Sequence, residues 1–247
     1  MRLIIDIGNT LAKVALFEDA EPLAITYLPV LTIEALELFL NDSGLARPEE
    51  AIISTVRQPD DTFVDYLNSH FRLLLPSTDT PLPIKNMYNS PETLGFDRLA
   101  AAIAATSMFP QRNVLIINTG TAITYDLVTR NNEYLGGAIS PGLQMRLMAL
   151  HQFTQKLPLV ELKEKAKLVG RNTRESILSG VLIAAGTEID GMIEKFNNHY
   201  EDLAVILSGG DVKYFDKSLK NSIFAIPNIV ISGLNQLLAF NFGKKNH

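Results

Sequence analysis

A short pattern of residues occurs twice in this 247-residue chain, about half a chain length apart. Residues 3–16 read LIIDIGNTLAKVAL, and residues 115–128 read LIINTGTAITYDLV. Each copy is an apolar run, a polar residue, a glycine and a second run rich in β-forming residues. This pattern predicts a strand, a tight glycine turn and a returning strand. The repeat therefore predicts that the chain consists of two related halves.

The same order of elements continues after each predicted hairpin. Three further strands are predicted in each half, at 23–28, 51–56 and 71–75 in the first and at 134–139, 203–208 and 222–226 in the second. Helices alternate with the later strands, and this order favours mixed sheets with helices on both faces. We expect an α/β protein with two tandem domains, residues 1–110 and 111–247, each with a mixed five-stranded sheet flanked by helices. The final helix could also pack on the first half.

Four helices have recognisable signals. Thr32 is a candidate cap for a helix near 33–41, and Ser140-Pro141 resembles a cap followed by proline at the first helical position. Apolar residues recur at helical spacing near 174–198, which favours a packing role. A last helix is predicted over 229–242, and the proline-rich segment 76–91 is predicted to be an extended loop.

Composition narrows the function classes. Apolar residues make up 47% of the chain and charged residues 20%, so a sizeable core is expected. The net charge is -5 and no basic stripe occurs, which argues against a nucleic-acid partner. The chain has no cysteine, so disulfides, thiolate zinc sites and a cysteine nucleophile are excluded. The apolar run at the start of the sequence is too short for a signal peptide or a membrane span, and we expect a cytoplasmic protein.

The two glycine turns are candidate phosphate-binding sites. Glycine lets a phosphate approach the backbone, and adjacent N–H groups can point at one anion. Either turn alone fits an ordinary β-hairpin, but two equivalent turns from two similar halves favour a nucleotide held between them. The chain has neither a Walker-type loop nor a dinucleotide-binding fingerprint. The glycine turn at 208–211 could approach the adenosine or be a plain turn.

Two aspartates are candidate functional residues. Asp6 ends an apolar run that should be a buried strand, where a carboxylate is costly unless it is paired or bound to a cation such as magnesium. It could instead close its own turn. Asp97 lies near a predicted helix start, where aspartate commonly stabilises the helix. Its functional alternative is a general base for an attacking hydroxyl group, with Arg98 beside it to bind an anionic group.

These residues together resemble the type III pantothenate kinases, which belong to the actin, Hsp70 and sugar-kinase superfamily. The resemblance extends over nearly the whole chain. The motifs that carry it, in chain order, are Asp6-Ile7-Gly8-Asn9-Thr10 with Lys13, Tyr88, Gly95-Phe96-Asp97-Arg98, Thr119-Gly120-Thr121-Ala122-Ile123-Thr124, Gly136-Gly137-Ala138-Ile139-Ser140-Pro141-Gly142, Gly170-Arg171-Asn172-Thr173 and Ser208-Gly209-Gly210. Each motif alone is weak, but all seven in the order of the family are specific.

The resemblance implies two ribonuclease H-like domains of the actin-like ATPase type and ATP-dependent phosphorylation of pantothenate, which begins coenzyme A biosynthesis. It implies Mg²⁺, a monovalent cation (K⁺ or NH₄⁺) and a homodimer. The residues that it implies bind ATP are Asp6, Ile7, Gly8, Asn9, Thr10, Leu11, Ala12, Lys13 and Thr121. Asp97 is implied as the catalytic base, and the residues implied to line the pantothenate site are Tyr88, Gly95, Phe96, Asp97, Arg98 and Thr173.

One residue departs from the family pattern. The position before the second turn, where the family has an aspartate that helps to bind the monovalent cation, is Asn118. An amide oxygen can still ligate K⁺, but the fixed negative charge is missing. We therefore expect weaker or lost dependence on a monovalent cation.

Three other functions compete with a pantothenate kinase. A kinase for another small hydroxyl compound could share the nucleotide turns. A regulatory accessory factor could bind ATP without turning it over, although the presence of Asp6, Lys13, Asp97 and Arg98 argues against loss of catalysis. An actin-like ATPase fits the repeat but not the short length or the loop around Tyr88.

Overall fold

A computed structural model describes residues 1–57, 60–163, 165–215 and 218–243 of the protein. The chain forms two compact units, one made of Met1–Met108 with Ile229–His247 and the other of Phe109–Asn228. The first boundary lies close to the predicted residue 110. The final helix belongs to the first unit, which is the alternative that the sequence left open.

The first unit is built on a mixed five-stranded sheet. Its strands are β1 (Arg2–Ile7), β2 (Ala12–Glu18), β3 (Glu21–Leu28), β4 (Glu50–Thr55) and β5 (Arg72–Leu74), in the order β3-β2-β1-β4-β5. The first three strands form an antiparallel meander, and β4 and β5 add to it in parallel. A further two-residue strand, β6 (Lys85–Asn86), interrupts the predicted loop over 76–91.

Helices cover the faces of this sheet. They are α1 (Ile33–Asp42), α2 (Asp61–His70), α3 (Phe96–Met108) and the last helix of the chain, α7 (Ile229–Phe242). The Thr32 hydroxyl accepts a hydrogen bond from the Ala35 N–H at 3.2 Å, as the predicted cap requires. The alanine-rich α3 packs closely on α7, where a Cβ at Gly233 would collide with the Ala100 carbonyl.

The second unit repeats the same strand arrangement. Its strands are β7 (Asn113–Thr119), β8 (Ala122–Val128), β9 (Glu133–Pro141), β10 (Leu203–Ser208) and β11 (Phe224–Ala225), in the order β11-β10-β7-β8-β9. β7, β8 and β9 form the antiparallel meander, and β10 and β11 are parallel to β7. The internal repeat of the sequence is therefore a repeat of topology.

The helices of the second unit are α4 (Leu143–Gln152), α5 (Thr173–Leu178) and α6 (Ala184–Asn197), and the turn that joins α5 to α6 at Ser179–Ile183 is π-helical. The prediction that Ser140 and Pro141 begin a helix is wrong. Both pair with β8 as the end of β9, and Gly142 is the residue that precedes α4.

The continuous helical segment Thr173–Asn197 is long and apolar enough to cross a membrane by length and composition alone. One face of this segment packs into the core of the second unit through Ile177, Val181, Ala185, Ile189 and Ile193. These contacts are those of a core helix, in agreement with the packing role that the sequence predicted.

Candidate functional site

The first glycine turn joins β1 to β2. It closes with a hydrogen bond from the Gly8 N–H to the Leu11 carbonyl at 3.1 Å. Asn9, Thr10 and Leu11 form its exposed tip. Because the tip is exposed and Gly8 has no side chain, a ligand can reach the backbone here.

Asp6 lies at the base of this turn, directly opposite Lys13 in the β1–β2 pairing. Only 7% of Asp6 is exposed. Burial raises the pKa of Asp6 to about 6; Lys13 acts in the opposite direction, and the negative charge of Asp97 raises the pKa further. The structure therefore brings Asp6, Lys13 and Asp97 into one electrostatic cluster, where a bound cation would relieve the cost of the buried carboxylate.

Asp97 occupies the first turn of α3, as the sequence predicted. Its carboxylate accepts a hydrogen bond from the Arg98 N–H at 2.9 Å, and the same N–H lies 3.2 Å from the Gly95 carbonyl. A Cβ at Gly95 would collide with the Asp97 carboxylate. Gly95 is therefore required for this orientation of Asp97.

The Arg98 guanidinium lies 5.8 Å from the centre of the Tyr88 ring. Tyr88 is half-buried, and its N–H donates to the Asn86 side chain at 3.0 Å in a local turn. The aromatic face and the cation attract each other at this distance. The predicted substrate residues Tyr88, Gly95, Phe96, Asp97 and Arg98 thus all lie around the start of α3 in the first unit.

The second glycine turn joins β7 to β8 and closes with a hydrogen bond from the Gly120 N–H to the Ala122 carbonyl at 3.0 Å. Thr121 is exposed at its tip. Thr119 is fully buried, and its hydroxyl donates to the Ser208 carbonyl at 2.9 Å. The end of β10 therefore fixes one side of the turn.

Two glycines approach this second turn so closely that no side chain could take their place. A Cβ at Gly142 would collide with the Gly120 and Thr121 carbonyls, and one at Gly209 would collide with the Thr119 carbonyl. Gly209 also has a φ of +101°, a conformation that favours glycine. Neither glycine was predicted to support the second turn, although both lie in glycine-rich motifs of the sequence.

Asn118, the departure from the family pattern, pairs with Thr124 on one side and with Ser208 on the other. Its side-chain oxygen is 2.7 Å from the position that a Cβ at Gly209 would occupy. The buried Thr124 hydroxyl has no hydrogen-bond partner in the described part of the chain. Two uncharged side-chain oxygens, those of Asn118 and Thr124, thus lie beside the second turn and could act as cation ligands.

Thr173 lies at the exposed start of α5. Asn172 caps this helix by accepting a hydrogen bond from the Glu175 N–H at 3.0 Å. Thr173 lines a largely apolar cavity of about 620 Å³ together with Arg146 and Gly180, a residue of the π-helical turn. π-helical turns are frequent at functional sites, so this cavity is a candidate for substrate contact.

The described residues contain no group of three or more His, Cys, Asp or Glu side chains that could hold a metal ion. Water molecules and the phosphate oxygens of a bound nucleotide can supply further ligands to a divalent cation at Asp6. Phosphate oxygens are the usual source of those ligands for Mg²⁺.

Comparisons with known proteins show which family the chain resembles. A family model described as type III pantothenate kinase matches residues 2–195. A relative from Bacteroides fragilis named type III pantothenate kinase is 42% identical over 245 residues, which cover 99% of this chain and 100% of the relative.

Solved structures show the fold. A Campylobacter jejuni protein described as a candidate Baf family transcriptional activator superposes with a TM-score of 0.60 at 19% identity, over 97% of this chain and 98% of that one. Component A of (R)-2-hydroxyglutaryl-CoA dehydratase from Acidaminococcus fermentans has a TM-score of 0.55 at 13% identity, over 98% of both chains. The predicted fold class, two ribonuclease H-like domains of the actin-like type, is confirmed.

Proposed function

Because the chain belongs to the type III pantothenate kinase family, we propose that it transfers the γ-phosphoryl group of ATP to the primary hydroxyl group of pantothenate. The product is 4'-phosphopantothenate, and the reaction is the first step of coenzyme A biosynthesis. The observation that carries the proposal is the cluster of Asp6, Asp97 and the first glycine turn, with Arg98 next to Asp97.

Phosphoryl transfer depends mainly on alignment of the reacting groups and on neutralisation of charge. Asp97 is proposed to orient the pantothenate hydroxyl group and to accept its proton. The hydroxyl oxygen forms a bond to the γ-phosphorus, the bond from that phosphorus to the bridging oxygen breaks, and ADP leaves. Residues 6–13 bind ATP phosphate oxygens through the first turn and Lys13, and Thr121 contacts ATP through the second.

Mg²⁺ is proposed to accompany ATP. Asp6 fits this role, because its carboxylate is nearly buried and its pKa is raised to about 6 by burial and by the neighbouring Asp97, against the influence of Lys13. The cation neutralises phosphate charge when it is bound. Asp6 would hold it directly or through water.

The proposed site for a monovalent cation has no fixed negative charge. Asn118 and Thr124 offer oxygens beside the second turn, but neither supplies a negative charge. We propose that K⁺ or NH₄⁺ binds there weakly and activates the enzyme little.

Pantothenate is proposed to bind around the start of α3. Arg98 attracts its carboxylate, and Tyr88 supplies an aromatic face that holds the guanidinium at 5.8 Å. Gly95, Phe96 and Thr173 are the remaining proposed contacts. We further propose a homodimer in the cytoplasm.

An ADP-release assay tests this function. The purified protein with Mg²⁺ and ATP is expected to release ADP only when pantothenate is added, and mass spectrometry should detect 4'-phosphopantothenate. ADP release that does not need pantothenate would favour an ATPase. Release that needs a different hydroxyl compound would favour another small-molecule kinase.

A further inference from the structure

Three hydrogen-bonded side chains, those of Tyr125, Arg146 and Glu188, are connected to the second glycine turn through the end of β9. The Arg146 guanidinium donates to Glu188 at 2.5 Å, and the Tyr125 hydroxyl donates to the other oxygen of Glu188 at 3.1 Å. Arg146 and Glu188 are 21% and 31% exposed. Burial alone would raise the pKa of Glu188, but hydrogen bonds from Arg146 and Ser140 outweigh it and lower the pKa. Glu188 therefore remains an anion that holds Arg146 in place.

Arg146 also holds the end of β9. Its guanidinium donates to the Pro141 carbonyl and to the Ser140 hydroxyl, both at 2.8 Å. A planar guanidinium can make these three interactions at once because its donors form a rigid fork. An ion pair from α4 to α6 thus fixes the two residues that precede Gly142.

The end of β9 in turn fixes the second glycine turn. Ser140 and Pro141 pair with Ile123 and Ala122, the residues that follow this turn. The next N–H, that of Gly142, donates to the Thr121 carbonyl at 3.1 Å. An unbroken series of contacts therefore leads from Glu188 through Arg146 to the backbone of Thr121.

We propose that Arg146, held by Glu188, is a positioning residue for the nucleotide turn that carries Thr121. The proposal rests on the proposed function, because it assumes that this turn binds ATP. Loss of the guanidinium frees the end of β9, so that the turn samples geometries that fit the phosphates less well. ATP affinity should fall while pantothenate affinity stays the same.

The chain contains a matched control for this group. Arg47 pairs with Glu37 through two hydrogen bonds of 2.6 and 3.0 Å, and Tyr66 also donates to Glu37. This second Arg–Glu–Tyr group joins α2 to α1 and to the loop that follows α1, and it includes none of the residues assigned to ATP or pantothenate. Removal of Arg47 therefore reports what loss of such a group does to stability alone.

The test compares Arg146→Met, Glu188→Gln and their double variant with Arg47→Met. Methionine keeps most of the aliphatic stem that lines the cavity and removes the donors. The first readout is the Kd of a non-hydrolysable ATP analogue with Mg²⁺, measured by titration calorimetry without pantothenate. The second is the pair of KM values, and the third is the melting temperature.

We expect both single variants to raise the Kd of the analogue and the KM for ATP about tenfold, which corresponds to a loss of about 1.4 kcal/mol of binding free energy. The double variant should be no worse than Arg146→Met, because Glu188 is proposed to act only through Arg146. Arg146→Lys should recover part of the affinity. Arg47→Met should leave both constants unchanged.

Three outcomes would overturn the proposal. The first is a fall in melting temperature with unchanged nucleotide affinity, as for Arg47→Met. The second is a raised KM for pantothenate alone, which would make Arg146 a substrate contact beside Thr173. The third outcome is a wild-type protein that does not bind the analogue, which removes the proposed function as well.

If Arg146→Met does not fold, Arg146→Lys and Glu188→Gln decide by the same readouts.

Discussion

Asp6 and Asp97, 91 positions apart in the sequence, interact electrostatically in the folded first unit: burial is the main cause of the raised pKa of Asp6, and the negative charge of Asp97 raises it further. Two adjacent carboxylates are unfavourable without a cation. The fold retains this arrangement beside the first glycine turn, which is what a site for a metal-bound nucleotide requires.

Substitution of Asp6 should therefore stabilise the ligand-free protein. The Asp6 carboxyl has an ordinary pKa of 3.8 when unfolded and of about 6 when folded. Between these two pKa values the folded state binds more protons than the unfolded state, so the free energy of unfolding falls as pH rises. The loss due to this group is on the order of 3 kcal/mol above pH 6. Asp6→Asn should show higher stability than wild type at neutral pH, with a difference that vanishes in acid, and should lose turnover.

Chemical denaturation at several pH values measures this difference. Asp190→Asn is the control, because the Asp190 carboxylate accepts hydrogen bonds from the N–H groups of Lys220 and Asn221 and its loss should destabilise the protein. An Asp6→Asn variant less stable than wild type at neutral pH would contradict the expectation.

Asp97→Asn should bind ATP normally and lose most turnover. The amide keeps the size of the side chain and can still accept from the Arg98 N–H, but it cannot take a proton. Loss of a general base costs about 100-fold or more in kcat. Steady-state kinetics and analogue binding measure the two effects, and normal turnover would exclude Asp97 as the base.

Arg98→Gln should raise the KM for pantothenate and leave ATP affinity unchanged, because the guanidinium is proposed to attract the pantothenate carboxylate. A charged hydrogen bond contributes about 1.5–3 kcal/mol, so the increase should be at least about tenfold. Tyr88→Phe is the comparison variant, since it keeps the ring that lies 5.8 Å from the guanidinium. A larger effect on ATP than on pantothenate would assign Arg98 to the nucleotide instead.

Gly209→Ala should impair both folding stability and ATP binding. The added methyl group would collide with the Thr119 carbonyl, and the φ of +101° strains any L-residue. We expect a loss of more than about 1 kcal/mol in the free energy of unfolding. Gly191→Ala in α6 is the control: its methyl group meets nothing within 4 Å, so it should stabilise slightly. Thermal unfolding and analogue binding measure both variants.

Asn118→Asp should increase activation by K⁺. The substitution supplies the charge that the site beside Thr124 lacks, while its size stays the same. Reaction rate measured against K⁺ concentration, at constant ionic strength, should be nearly flat for wild type and rise for the variant. Strong activation of the wild type would show that neutral oxygens are sufficient.

Much of the fold could be predicted from the sequence because it depends on local patterns. The two copies of the hairpin became β1–β2 and β7–β8, and the predicted final helix matches α7 at Ile229–Phe242. The failed prediction at Ser140-Pro141 has a tertiary cause. A serine followed by a proline resembles a helix start, but pairing with β8 extends β9 through both residues.

The sequence by itself determined the duplicated strand order, the two glycine turns and the residue types available for chemistry, because backbone propensity and hydrophobic spacing act over short stretches of chain. Only the tertiary structure decided that Asp97 neighbours Asp6, that Gly142 and Gly209 hold the second turn, and that Arg146 is fixed by Glu188. Those relationships join residues distant in the sequence, so packing and electrostatics of the folded units create them, and no local pattern encodes them.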